Sequence, residues 1–294
     1  MAIEKYYLGC PIWANKDWQG TLFQKKAKAK DFLKQYAQIF NSVEGSGTFY
    51  VLPSLKMLAK WNEDTPSHFR FTFKFPREIT HQRHLRNVAG ETYHFFKTMQ
   101  PISHKVGSFF LQLPPSFSPR FLPNLAQFLP KLSKDFNYAV EVRHLDFFTN
   151  KDNQSRLNDL LAKYNINRAV FDTTVLHHIQ NSDNQDVIVA QGKKPKMPRH
   201  LIATAQQPFL RYVGYRKADE NRDVLRPIVE EVAQYISENK TPYVFMHTAG
   251  DRFAPELCRL FHELLQKELS HIPLGKLPDF LGEKEKNTGQ INLF

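Results

Sequence analysis

A chain of 294 residues with 41% hydrophobic content can bury a full core, and its length suits a single large α/β domain of about 250 residues plus a tail. No run approaches the ~18 uninterrupted apolar residues of a membrane helix, and Met1 to Gly9 lacks the basic-then-apolar layout of a secretory signal, so a cytoplasmic protein without membrane contact is expected. The formal charge of +11 is clustered, at Lys25, Lys26, Lys28, Lys30 and Lys34, at Arg77, Arg83 and Arg86, and at Lys193, Lys194, Lys196 and Arg199, which makes nucleic acid or a phosphorylated small molecule a candidate partner.

Strand-like runs alternate with amphipathic helical runs along the chain. Tyr6 to Ile12 reads as a first strand, followed by a Trp-rich loop and a helix from about Gln24 to Phe40. Phe40 to Glu44 is a short second strand broken by Gly45-Ser46-Gly47, and Pro53-Ser54 can open a helix carrying Leu55, Leu58 and Trp61. In the third strand, Phe69, Phe71, Phe73 and Phe75 fall on one face and Arg70, Thr72 and Lys74 on the other. A helix over Leu85 to Met99, a strand over Gly107 to Leu113 and a helix over Leu122 to Leu132 follow. Tyr138 to His144 is the fifth strand, Gln154 to Tyr164 is helical, and Arg168 to Asp172 is the sixth strand. Thr173 to Pro198 has few periodic apolar positions and reads as disorder or a functional lid. Phe209 to Tyr215, a helix over Val224 to Ile236, Pro242 to His247 and a helix over Pro255 to Leu269 complete eight strand-helix steps.

That count points to a (β/α)8 TIM barrel over residues 1–270, with a flexible C-terminal tail over 271–294. No GxGxxG follows a strand, which argues against a doubly wound dinucleotide-binding sheet. Neither a nucleophile elbow nor a P-loop is present. The two cysteines, Cys10 and Cys258, have no metal-ligand or CxxC spacing.

If the sheet closes, parity sends the charged strand faces into the lumen. Glu44, Glu141 and Asp172 then face Lys74, Arg143 and Arg211 near the carboxyl ends of the strands, with Gln112 and His247 beside them. Such a set can be a self-neutralising buried network, or it can be a site. As a site, Glu44, Glu141, Asp172 and His247 are the candidates for acid/base work or for ligating a divalent metal, a candidate cofactor. Lys74, Arg143 and Arg211 are the candidate anion clamps. The other histidines of the mouth loops, His81, His84, His144, His177 and His178, show no metal-ligand spacing.

The runs Phe40-Asn-Ser-Val-Glu-Gly45, Thr48-Phe-Tyr50, Phe69-Arg-Phe-Thr-Phe-Lys-Phe-Pro-Arg77 with Ile79-Thr-His81, Leu111-Gln-Leu-Pro-Pro115 and Tyr138-Ala-Val-Glu-Val-Arg-His144 together resemble the YecE-like family, domain of unknown function seventy-two, over roughly Tyr6 to Leu265. The resemblance implies a TIM-barrel fold and brings no reaction with it. Analogy with endonuclease IV and sugar-isomerase barrels would imply metal-bound carboxylates and histidines acting on phosphodiesters or sugars. Many members carry a Gly-Ser-Gly-Trp-like first loop where this chain has Gly9-Cys-Pro-Ile-Trp13, and Asn-Asn where it has His247-Thr248.

The final pentapeptide, Gln290-Ile-Asn-Leu-Phe294, resembles the motif by which bacterial polymerases and repair proteins dock on the DNA sliding clamp. That resemblance implies Gln290 at the rim of the clamp pocket, Leu293 and Phe294 within it and Ile291 packed beside. The favoured expectation is a hydrolase or nuclease of DNA repair recruited to the clamp. The alternatives are a sugar or sugar-phosphate enzyme and a non-catalytic binding or adaptor protein.

Overall fold

Nine parallel strands alternate with helices in the computed structural model, which describes residue 3 and residues 5–285. They are β1 (Tyr7–Gly9), β2 (Ser42–Gly45), β3 (Arg70–Lys74), β4 (Val106–Gln112), β5 (Tyr138–Glu141), β6 (Asn167–Arg168), β7 (Val170–Asp172), β8 (Phe209–Val213) and β9 (Tyr243–His247). The helices are α1 (Phe32–Tyr36), α2 (Leu55–Asp64), α3 (Ala89–Met99), α4 (Leu122–Phe128), α5 (Asp146–Thr149), α6 (Lys151–Lys163), α7 (Thr174–His178), α8 (Gln185–Lys193), α9 (Arg222–Ser237) and α10 (Ala254–Glu268).

The strands form two sheets, ordered β2-β3-β4-β5-β6 and β1-β9-β8-β7. The expected single closed sheet is therefore not what the hydrogen bonds draw. One seam lies between β1 and β2, where side chains take the backbone groups that a ladder would pair. Asn41 Oδ1 accepts from Leu8 N at 2.8 Å, while Tyr36 Oη accepts from Cys10 N at 2.7 Å and donates to Ser42 O at 2.9 Å. A bond from Glu44 N to Cys10 O, 3.1 Å, crosses this seam. Gly9 permits the approach, because a Cβ there would stand 2.0 Å from Ser42 O. The other seam divides the expected sixth strand at Ala169: Arg168 N donates to Thr204 Oγ1 at 2.8 Å, so β6 stays with β5 and β7 goes with β8. Ala169 N to Val140 O, 2.9 Å, bridges it.

The alternation in β3 has the expected result. Phe69, Phe71, Phe73 and Phe75 are all buried, and Trp61 of α2 stacks on Phe73 with ring centroids 5.9 Å apart. On the opposite faces of the strands Tyr7, Phe110, Ala139, Ala169, Phe209, Tyr243 and Phe245 form a separate apolar cluster, the floor on which the polar strand ends rest.

Three local expectations are corrected by tertiary contacts. The lysine-rich run before α1 is not α-helical: Gln24 N is taken by Gln35 Oε1 and Lys25 N by Glu285 Oε2, leaving a 3-10 turn at Ala29–Asp31 and the short α1. Thr173 to Pro198 is neither disordered nor structureless. It contains α7 and α8, whose Leu176, Val187 and Ala190, with Met197, pack against Phe171, Val213 and Ala249 as a cap over the carboxyl ends of β7–β9. The packed body also runs past residue 270, with Leu274, Leu277 and Phe280 buried, Gly282 N bonded to Thr21 O at 2.9 Å and the Arg259 guanidinium 3.6 Å from the Phe280 ring centroid. Gln290, Ile291, Leu293 and Phe294 lie outside the described residues. Among the described residues, no helix is long and apolar enough to cross a membrane.

Candidate functional site

Near their carboxyl ends, six of the strands send polar side chains inward, and these converge above the apolar floor. Arg211 of β8 is their centre. Its Nε and Nη2 lie 2.7 and 2.9 Å from the two oxygens of Glu44 on β2, and Nη1 lies 2.6 Å from Glu141 Oε2 on β5. Glu141 Oε1 accepts from Arg143 Nε at 2.6 Å and from Gln112 Nε2 of β4 at 2.9 Å. Gln112 in turn accepts from Lys74 Nζ of β3 at 2.5 Å. Ser46 Oγ donates to Glu44 Oε1 at 2.8 Å. Aromatic rings outside the floor also border the set: the Arg211 guanidinium sits 4.5 Å from the Phe171 ring centroid and Lys74 Nζ sits 4.0 Å from that of Phe49.

Of the residues singled out by parity, Glu44, Lys74, Glu141, Arg143, Arg211 and His247 meet here, with Gln112 between two of them. Asp172 does not. The register pairs Phe171 with Arg211 and Asp172 with Tyr212, so in this parallel ladder Phe171 shares the inward face and Asp172 takes the opposite one. Asp172 instead receives Arg199 Nε at 2.6 Å and caps Thr174 N at 2.9 Å, anchoring the segment that covers the site. Aligning the strands by charge alone had put it one residue out of phase. Sequence reasoning also left out two residues that border the site. His81 packs edge-on against Phe49, with ring centroids 4.8 Å apart. Lys194 follows α8, and its carbonyl is held by His177 Nε2 at 2.8 Å. Both lay in view, one among the mouth-loop histidines and one in the third basic cluster.

The charges do not balance. Burial pushes the Glu44 carboxyl up, but Arg211 and His247 more than reverse this and hold it well below the usual range. Glu141 is likewise pushed up by burial and brought below it by Arg143 and Arg211. Both are carboxylates at neutral pH. Burial, with Arg211 next to it, takes the Lys74 ammonium down to about 7. Burial and the Lys74 charge take His81 down to about 4, and burial lowers Lys194 and His247 as well. Two carboxylates thus face Arg211, Arg143, Lys194 and a partly protonated Lys74.

Donors remain free in this cluster. Arg211 spends three nitrogens on carboxylates, whereas the two terminal nitrogens of Arg143 and the Lys194 ammonium meet no acceptor among the described residues. His247 Nε2 is 3.4 Å from Glu44 Oε2 but has no hydrogen-bond partner. The donor set does not fit the metal expected from sequence. Glu44 gives both oxygens to Arg211, Glu141 gives its own to two arginines and Gln112, and among the described residues no group of three His, Cys, Asp or Glu side chains is placed to hold an ion. A groove of about 750 Å3 between α3 and α4, around Tyr93 and Phe128, is lined by none of these charged residues.

Parallel strands with their polar groups gathered at the carboxyl ends, beneath a packed helical cap, define an α/β protein whose site is built at one end of its sheets. The chain belongs to the DUF72 family: the model of "Protein of unknown function DUF72" matches residues 7–280. It is 37% identical over 272 residues to the UPF0759 protein YecE of Escherichia coli K12, covering 92% of this chain and 96% of that one, and 36% identical to YecE of the O157:H7 strain over the same length. A solved DUF72 family protein from Thermotoga maritima superposes with a TM-score of 0.65 at 21% identity, covering 89% of this chain and 99% of its own. One from Enterococcus faecalis reaches 0.65 at 16%, covering 92% and 98%. At these identities the structural likeness is one of fold.

Proposed function

We propose that the strand ends bind a compact anion, the phosphate or carboxylate of a small molecule. The free donors of Arg143 and Lys194, beside carboxylates already held by Arg211 and by Arg143 Nε, carry this reading. The site is enclosed: the Arg143 side chain is 13% exposed and Arg211 7%. A nucleic-acid duplex cannot lay its backbone against groups so covered, which favours the sugar-phosphate class over phosphodiester cleavage in DNA. Eight strand-helix steps in order, with each sheet seam crossed by a backbone hydrogen bond, support the two sheets working as the halves of one (β/α)8 barrel whose mouth is this site. Calorimetry with inorganic pyrophosphate tests the reading. Binding that weakens by about tenfold or more in Arg143→Met, the value of one charge-assisted hydrogen bond, supports it. Absence of binding, or equal binding by the variant, sinks it.

A second reading concerns the tail and rests on its residues alone. Gln290, Ile291, Leu293 and Phe294 match a sliding-clamp ligand in order and spacing, and burying Leu293 and Phe294 would contribute about 1.5–3 kcal/mol each before ordering costs. Immobilised bacterial clamp should retain the intact protein at micromolar concentration and release a chain lacking Leu293-Phe294. Equal retention of both would remove this reading.

A further inference from the structure

We propose that Lys74 is an imine-forming residue, its ε-amine condensing with the carbonyl of a small anionic aldehyde or ketone seated at the strand ends. The inference rests on the anion site and adds a reacting atom to it. Lys74 ends β3 with 9% of its surface exposed, and among the described residues the one hydrogen bond of its Nζ goes to the neutral Gln112 Oε1. A buried ammonium ordinarily keeps a carboxylate partner. Here the facing groups are Glu44 from β2, Glu141 from β5, Arg143 two residues beyond it, Arg211 from β8, and His81 and Arg77 from the segment after β3. Both glutamates are already gripped by arginines, so Nζ sits between an aromatic ring and cations.

Desolvation beside positive charge is the way a lysine becomes a nucleophile at neutral pH. At a pKa of about 7 roughly half of Lys74 is free amine at pH 7, against less than about one part in a thousand for an ordinary lysine. Glu44 and Glu141 are paired without this amine, since Arg211 bonds both and Arg143 and Gln112 bond the second oxygen of Glu141. The 2% exposed His247, whose Nε2 lies 3.4 Å from Glu44 Oε2 without a hydrogen-bond partner, is a second polar group here, and it suits the hydroxyl or carbonyl oxygen of a bound molecule. Arg143 and Lys194 would hold the anionic end. In the step itself the amine lone pair attacks the carbonyl carbon and a C–N bond forms. The carbonyl oxygen departs as water with both amine protons, leaving C=N in place of C=O, and no oxidant or reductant is consumed.

The full chain is incubated at pH 7 with glycolaldehyde phosphate or with glycolaldehyde, each with sodium borohydride, which delivers hydride to the imine carbon and fixes a secondary amine that peptide mass spectrometry locates. Lys74 should be modified by glycolaldehyde phosphate at least about tenfold faster than any other lysine. That lead should shrink by pH 10, where surface lysines also lose their protons. Lys74→Arg should lose the dominant adduct. The wild-type peptide map carries its own reference in the remaining lysines, so the result does not depend on how the variant folds. Labelling spread over surface lysines with Lys74 spared overturns the inference, even where pyrophosphate still binds. Preferential labelling of Lys74 by both aldehydes at equal rates upholds Lys74 as the imine-forming residue but overturns the anionic substrate and with it the anion reading.

Discussion

Arg211 grips both oxygens of Glu44, Nε 2.7 Å from Oε2 and Nη2 2.9 Å from Oε1, and turns its remaining nitrogen to Glu141 at 2.6 Å. With all three side chains buried, removing the arginine strips Glu44 of its guanidinium and leaves Glu141 with Arg143 and Gln112 alone. Arg211→Met should cost about 3–5 kcal/mol, a fall in melting temperature on the order of 10 °C for a chain of this size. Glu44→Gln in that background should restore part of the loss, so the double variant is less damaged than the two single effects added together. Strictly additive melting temperatures would mean that the two residues are not coupled as drawn. The sign with pH follows from Glu44 being held below its ordinary range: its contribution is complete above the unfolded carboxyl pKa of about 4.3 and is lost as pH falls through the lower folded value.

Much of this cluster was legible in the sequence because a strand's period of two is rigid: Glu44, Lys74, Gln112, Glu141 and Arg211 each sit opposite an apolar face. What could not be read was register. Asp172 follows Phe171 by one residue, and only the hydrogen-bonded pairing of Phe171 with Arg211 says which of the two looks inward. The seams were hidden for a related reason. They exist because Tyr36, Asn41 and Thr204 divert backbone groups from the ladder, and those side chains come from loops and helices with no periodic signal. The cap escaped because α7 and α8 are short and depend on Phe171, Val213 and Ala249, contacts distant in sequence.

Lys74 should leave its mark on stability as a function of pH. Its folded pKa of about 7 lies below the unfolded value of about 10.4, so between those limits the unfolded chain binds more protons and stability rises with pH. Below about pH 7 the penalty for the buried charge is complete. Lys74→Met should therefore be more stable than the wild type at pH 6, and that advantage should shrink steadily towards pH 9.5 in urea titrations. A difference independent of pH would show that the ammonium is not buried as described.

Asp172, lost to the anion site, gains a different role through Arg199. Their 2.6 Å contact joins the end of β7 to the segment that covers Arg143 and Arg211, and Thr173 Oγ1 adds bonds to Pro195 O and Met197 N at 2.8 and 2.9 Å. Arg199→Met should loosen the cap without unfolding the sheets. Hydrogen exchange should quicken by about tenfold, some 1.4 kcal/mol of local opening, across α7 and α8 and leave β3–β5 at wild-type rates. Acceleration spread evenly over the whole chain would instead make this pair a part of the global core.

Gly9 gives the most demanding test of the seam between the sheets. An added Cβ would meet Ser42 O at 2.0 Å and Tyr36 Oη at 2.7 Å, and the nearer atom is backbone, which cannot swing aside. Gly9→Ala must push β1 from β2, weakening the Cys10 N to Tyr36 Oη bond and the Glu44 N to Cys10 O bond together. The expected loss is about 3 kcal/mol or more, at the upper end of what overpacking costs. Because β2 carries Glu44, with Ser46 directly after the strand, the same push should shift the carboxylate that Arg211 holds, so pyrophosphate affinity should fall along with stability. Tyr36→Phe removes the bridging hydroxyl without adding an atom. It should cost about 1–3 kcal/mol for the unpaired Cys10 N and Ser42 O, with a smaller effect on binding. If Gly9→Ala melts within a degree of the wild type, the strands have room that this packing denies, and the seam cannot be what positions Glu44.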